Sequence, residues 1–246
     1  MSELKRIFVG TAGWAVSGSP EAFPAEGSAL ERYSAVFDGL EINSSFHRRH
    51  RPATWQRWAA STPARFRFSV KVPKTITHQA KLVEVEKLLD QFAEDVVGLG
   101  PKLRVVLVQL PPSFAFDASL FEQFIRSLSA RIEVPIACEP RHTSWFEPGA
   151  DKVLDRLGVA RVAADPALSE TAAKPGSAKS LAYWRLHGSP QMYRSTYGEA
   201  RIADYAARIA GSGARECWCM FDNTASSAAI GDALLMKEQL GAGHGG

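Results

Sequence analysis

Cysteine is scarce in this chain, with Cys138, Cys217 and Cys219 the only three among 246 residues. An odd number set in apolar, strand-like runs argues against a disulfide framework and reads as buried thiols in a reducing compartment. A lone C-x-C pair is a weak zinc signal, and packed thiols are the expectation. Long hydrophobic runs are missing as well: nothing approaches the roughly 20 apolar residues that cross a bilayer. The opening MSELKR lacks the apolar core of a signal peptide, so no membrane partner is expected and the cytoplasm is the expected location. Charge of one sign is not in excess, since 29 basic residues face 26 acidic ones for a net +3. That balance does not support nucleic acid as a partner, although a local basic patch stays open. P-loop and Rossmann signatures are absent, because Gly10 and Gly13 continue into neither motif and Lys71 has no glycine-rich lead. No repeat and no Gly-, Ser- or Pro-rich linker divides the chain, so one domain over residues 1–246 is expected, with the GAGHGG tail (241–246) frayed.

What the sequence does contain is alternation. A strand at 7–13 dissolves into Gly and Ala, and a long loop leads to a helix with Leu30, Tyr33, Val36 and Phe37 at helical spacing. Strand two is LEINSSFH (40–47), followed by a helix over 54–60. FRFSVKVP precedes a helix expected over 82–99, with Leu82, Val85, Leu88, Leu89, Phe92 and Val96 inward. RVVLVQL (104–110) is nearly all apolar, as a parallel strand covered on both faces should be. Asp117 is the expected N-cap of the next helix. PIACEPRH, ARVAADP, LAYWRLHG and ECWCMFDN complete about eight strands, with helices near 153–157, 199–210 and 224–240. After ARVAADP no helical apolar face follows, so one covering helix is missing or rudimentary. The pattern predicts an α/β fold, a single (β/α)8 barrel of the triosephosphate isomerase type.

Such a barrel carries its reactive groups at the C-terminal strand ends and in the loops after them. Almost every predicted strand ends in something polar there: Glu41, Asn43, Ser45 and His47; Lys71, with His78 in its loop; Gln109; Glu139, Arg141 and Trp145; Asp165; Arg185 and His187; Asp222 and Asn223. Within LEINSSFH, alternation sends Leu40, Ile42 and Phe46 to the helices, and Glu41, Asn43 and Ser45 to the interior.

The runs FVGTAGW, LEINSSFHR, FSVKVPKTITH, LVQLPPSF, EPRHTSW, YWRLHGS and CMFDNTASSAA, in this order across nearly the whole chain, resemble the YecE-like family, domain of unknown function seventy-two. The resemblance implies a triosephosphate-isomerase-type barrel and names no reaction. His47 and Pro140 depart from the Tyr and Phe expected at those places. Pro140 has no amide hydrogen, so strand five is expected to end or bulge there.

Chemistry has to be read from the residues. Buried charges persist only when paired or hydrated. One reading is purely structural, with Glu41 paired to Lys71 and Glu139 or Asp165 to Arg185. The other is a ligand site with Glu41, Glu139 and His187 as proton carriers. Lys71, Arg141 and Arg185 would then hold a carboxylate or phosphate, Asn43, Gln109 and Asn223 would orient the ligand, and Trp145 would stack on it. Three functional classes follow: a hydrolase on a small anionic ligand, phosphorylated or nucleotide-like ones included; a glycosidase pairing Glu139 with Glu41 or Asp222; and a non-catalytic binding protein. No motif indicates a cofactor. A divalent metal on Glu139, Asp165, His187 and Asp222 stays open without any local ligand spacing to support it.

Overall fold

The computed structural model describes residues 5–16, 20–177 and 180–242. Parallel strands alternate with helices: β1 (Arg6–Thr11), α1 (Ala29–Val36), β2 (Gly39–Ile42), α2 (Pro52–Ala60), β3 (Arg67–Lys71), α3 (Glu86–Val96), β4 (Leu103–Gln109), α4 (Ala118–Ser129), β5 (Ile136–Glu139) and α5 (Pro148–Arg156). The remainder comprises β6 (Ala160–Arg161), β7 (Ala163–Asp165), β8 (Gly176–Ser177), β9 (Leu181–Leu186), α6 (Glu199–Ala210), β10 (Glu216–Phe221) and α7 (Ala228–Ala242). They form an α/β fold of two sheets, ordered β1-β10-β9-β7 and β2-β3-β4-β5-β6-β8. Among the described residues every pairing is parallel except that of β8 with β6.

The sheets meet at two places. Ala12 bridges Glu41 in parallel, and the Gly13 amide donates to the Glu41 carbonyl at 3.0 Å. This seam requires glycine: a Cβ on Gly10 would stand 2.2 Å from the Gly39 carbonyl oxygen. On the other side Val162 alone separates β6 from β7, and its amide donates to the Cys138 carbonyl at 2.8 Å. One chain segment thus passes from the second sheet to the first.

Alternation along the strands creates two cores. The larger lies between sheets and helices, where Leu40, Ile42, Phe68, Val70, Val106 and Val108 meet Leu89, Phe92, Phe121 and Phe124. The smaller draws Phe8, Tyr183, Trp218 and Met220 of one sheet against Val105, Leu107 and Ala137 of the other. Trp218 stacks between Phe8 (4.7 Å) and Tyr183 (6.0 Å). Beneath it, Arg104 and Glu216 form an ion pair at 2.6 Å, and the Trp218 indole N–H donates to Glu216 at 2.8 Å. The next residues on these inward rows, toward the C-terminal ends of the strands, are the charged ones.

Several boundaries differ from expectation. β2 stops at Ile42 because Ser44–Phe46 wind into a 3₁₀ turn, so two-residue alternation ends at Asn43 and Phe46 is not carried to the helices. The helix expected from Leu82 begins at Glu86, since Lys81, Leu82 and Glu84 have φ of 49°, 69° and 51°, and it gives way to a 3₁₀ turn at Val97. Leu82 and Val85 still bury their side chains, but from a turn. The last helix starts at Ala228, after Thr224–Ser226 and the left-handed Ser227. As expected, Asp117 caps α4 by accepting the Leu120 amide at 3.0 Å, β5 ends before Pro140, and no helix lies between β7 and β9 among the described residues. All three thiols are buried and free. Of the tail expected to fray, residues 243–246 lie outside the described residues, while 241–242 close α7.

Candidate functional site

Arg185, near the end of β9, points inward and is fully buried. Its guanidinium is a planar fork that suits carboxylates in pairs. Glu41 from β2 takes it bidentately, at 3.0 Å to Nε and 2.7 Å to Nη2. Glu139 from β5 accepts from Nη1 at 2.5 Å, and Asp222, just past β10, from Nη2 at 3.0 Å. Glu41 also accepts the Tyr183 hydroxyl at 2.9 Å, whose oxygen lies 3.0 Å from Ser69 Oγ. One cation therefore joins carboxylates from three strand ends and both sheets. The Glu41–Lys71 pair expected from the sequence does not form, because Arg185 takes both oxygens of Glu41.

A second tier rests on the first. Both ring nitrogens of His187 face carboxylates, Nε2 toward Glu139 at 3.0 Å and Nδ1 toward Asp222 at 3.1 Å. Arg141 donates to Glu139 at 3.0 and 2.7 Å, and Gln109 donates to the other Glu139 oxygen at 3.2 Å. Burial pushes the Glu139 carboxyl upward, but Arg185, Arg141 and His187 outweigh it and hold the group well below the usual carboxylate range. Asp222 follows the same pattern, its burial offset by Arg185, His187 and Lys71. These acids are ionised anchors near neutrality, which removes the raised pKa that made Glu139 attractive as a proton donor.

Lys71 ends β3 on the same inner face, and its environment is different. It is 5% exposed, and among the described residues its Nζ has no hydrogen bond and no ion pair; it sits 3.9 Å from the centre of the Phe46 ring. Burial pushes the amine down to about 8, with Arg185 adding to the effect and Glu41, Glu139 and Asp222 opposing it. Here the 3₁₀ turn that took Phe46 off the helix face matters, because it swings the ring under the lysine. Lys71 lines an open cleft of about 530 Å³ together with Asn43, Phe46, His78, Gln109, Arg141 and Tyr193. Asn43 also has its Oδ1 buried without a hydrogen-bond partner among the described residues. His78 is placed by a π-helical turn, Thr75–Gln79, with Nδ1 2.9 Å from the Thr77 hydroxyl. Burial, then Lys71 and Arg141, lower its pKa from 6.5. A neighbouring groove of about 510 Å³, with Trp14, His50 and Trp58 in its walls, shares Asn43 and His47 with the cleft.

Of the residues expected at the site, Glu41, Asn43, Lys71, Gln109, Glu139, Arg141, Arg185, His187 and Asp222 are brought together. Three are not. Trp145 is fully buried against Phe114, Phe116 and Phe121, its indole N–H donating to the Phe114 carbonyl at 2.9 Å. Asp165 pairs with Arg201 at 2.7 Å. Asn223 turns away to donate to Asp232 at 2.6 Å and to the Ser195 carbonyl at 2.9 Å, which holds the 188–198 loop to α7. The set offered for a divalent ion is thereby split, and among the described residues no three of His, Cys, Asp and Glu are arranged to hold a metal. Sequence reasoning missed Tyr183 and Ser69, although both lie two residues before a named site residue on the same strand face. It also left His78 in a loop without a role, and only the π-helical turn explains its place.

The family model described as "Protein of unknown function DUF72" matches residues 8–246. UPF0759 protein YecE of Escherichia coli K12 is 29% identical over 165 residues, 65% of this chain and 59% of that protein. UPF0759 protein YunF of Bacillus subtilis is 29% identical over 151 residues, 58% of this chain and 53% of that protein. The chain thus matches less than two thirds of the length of these curated relatives. Among solved structures, a DUF72 family protein from Enterococcus faecalis superposes with a TM-score of 0.80 at 20% identity, covering 96% of this chain and 95% of the other. One from Thermotoga maritima gives 0.79 at 22% identity, covering 96% and 99%. At these identities the likeness speaks for the fold.

Proposed function

The chain belongs to the DUF72 family of proteins of unknown function, and from that premise we propose an enzyme acting on a small anionic substrate bound in the cleft beside Lys71. One observation carries the reading: a nearly buried ammonium, without a hydrogen bond or ion pair among the described residues, lines a cleft that the Arg141 side chain, 21% exposed, also lines. An unpaired buried cation costs several kcal/mol, and an anion entering the cleft relieves that cost. Arg185 does not serve here, since its fork is already filled by carboxylates.

The framework belongs to the same proposal. We read the two sheets as one eight-stranded barrel, supported by the Ala12–Glu41 bridge on one side and the single residue Val162 between β6 and β7 on the other. The cleft then lies at the C-terminal mouth, where this architecture places its chemistry. In the hydrolase expected from the sequence, the proton carrier becomes His78, whose lowered pKa leaves it neutral at pH 7. A glycosidase gains no support, because it needs one carboxyl free to donate a proton near neutrality, whereas Glu139 and Asp222 are held ionised and both oxygens of Glu41 accept from Arg185.

Thermal unfolding in rising inorganic phosphate tests the reading. The wild-type Tm should climb with the logarithm of phosphate concentration, and Arg141→Gln and Lys71→Met should each lose most of that rise. Equal rises in all three proteins would put the anion elsewhere and overturn the proposal. Phosphate binding with no turnover across panels of phosphorylated and carboxylated compounds would favour a non-catalytic binding protein.

A further inference from the structure

We propose that Lys71 is an imine-forming lysine, its ε-amine condensing with the carbonyl carbon of a small 2-oxo acid or anionic aldehyde whose charge rests on Arg141. This rests on the anion-cleft reading above and adds the substrate class to it. Lys5 donates to the carbonyls of Ile209, Ala210 and Ser212, and Lys102 to those of Ala59 and Thr62. Both tie segments together, as a structural lysine should. Lys71 is 5% exposed and among the described residues its ammonium ties nothing: it sits over the Phe46 ring, 3.9 Å from the ring centre. The carboxylates that would ordinarily claim it, Glu41, Glu139 and Asp222, are spent on Arg185. What remains is a nitrogen free to attack, on an apolar support, in the wall of an open cleft.

The protonation state agrees with that geometry. With the amine at about 8, roughly half is neutral at pH 8, about a hundredfold more than for an ordinary lysine. Nucleophilic attack requires that neutral form.

The step balances without any further reagent. The Lys71 nitrogen bonds to the carbonyl carbon, the C=O π pair moves to oxygen, and one amine proton is transferred to that oxygen, giving a carbinolamine. The C–O bond then breaks, the oxygen departs as water with a second proton, and the nitrogen lone pair forms C=N. Protonation of that nitrogen yields the electrophilic iminium. Asn43 lines the same cleft, and its Oδ1, buried without a hydrogen-bond partner among the described residues, is an acceptor that a new O–H or N–H donor would satisfy. His78, neutral near pH 7, lines the same cleft and can carry the protons.

Pyruvate with sodium borohydride at pH 8 tests this on the full chain, read by intact mass and peptide mapping. One reduced adduct per chain is expected, on Lys71, formed at least tenfold faster than on any other lysine. Phosphate should slow it in the wild-type protein, a readout that needs no variant. Lys71→Arg should lose the adduct, with Lys71→Met as the alternative should the arginine not fold. Labelling spread over surface lysines, or unchanged in these variants, overturns the imine. If phosphate still raises the wild-type Tm but Lys71 is not trapped, the imine falls and the anion cleft stands. If phosphate does neither and pyruvate leaves Lys71 unlabelled, both fall.

Discussion

Arg185 and Lys71 lie on one inward face, and their positions divide the work of the site. Each of the three Arg185 guanidinium nitrogens donates to an oxygen of Glu41, Glu139 or Asp222, so its desolvation is offset within the protein. Lys71 has no such offset, and its stability linkage follows from that. Its folded pKa of about 8 lies below the ordinary 10.5, so between those values the unfolded chain binds more protons and stability rises with pH. Below pH 8 the penalty is complete, on the order of 3 kcal/mol at the ~1.4 kcal/mol that each pKa unit represents. Lys71→Met should therefore be more stable than wild type at pH 7, and the gap should close between pH 8 and 10.5. Urea denaturation of both proteins across that range measures it, and the difference between them cancels the tyrosines that titrate in the same window. A variant less stable than wild type at pH 7 would mean that Lys71 is paired in solution.

At the scale of elements, the seam between β1 and β2 rests on a backbone approach that only glycine permits. A methyl on Gly10 meets the Gly39 carbonyl oxygen at 2.2 Å and the Tyr33 hydroxyl at 2.8 Å, and the first of these is backbone that cannot rotate away. Overpacking costs typically 1–3 kcal/mol where side chains can shift. Gly10→Ala should fall at or beyond about 3 kcal/mol, seen as a lowered urea midpoint, while a loss under about 1 kcal/mol would mean that the strands part easily. Most elements were legible because their physics is local. Asp117 before an apolar stripe gave the start of α4, and Pro140 without an amide hydrogen gave the end of β5. The failures share a cause: at 44–46 and 81–85 the apolar residues bury themselves from turns, and periodicity records which residues are buried without recording the backbone that buries them.

For the whole molecule, the two seams make a claim about cooperativity. If both sheets belong to one barrel, the Gly13 amide, bonded to Glu41, and the Val162 amide, bonded to Cys138, should exchange with solvent only through global unfolding. Native-state hydrogen exchange should then give them the same free energy as the Val106 amide inside β4. Two levels of protection, one for β1, β7, β9 and β10 and a lower one for β2 to β6, would show two separately opening units. The sequence by itself determined the alternation of strands and helices and the polar strand ends, since both follow from local patterns of burial and hydrogen bonding along one segment. It also put most of the cluster residues on the right strand face. Tertiary structure decided the pairing. Arg185 took the glutamate expected for Lys71, Trp145 sank between α4 and its neighbours, and Asp165 and Asn223 turned to Arg201 and Asp232. Partner choice among buried charges depends on distances between residues more than a hundred positions apart, as with Glu41 and Arg185. Only the arrangement of the two sheets sets those distances, and among the described residues they leave the Lys71 ammonium without a hydrogen bond or ion pair.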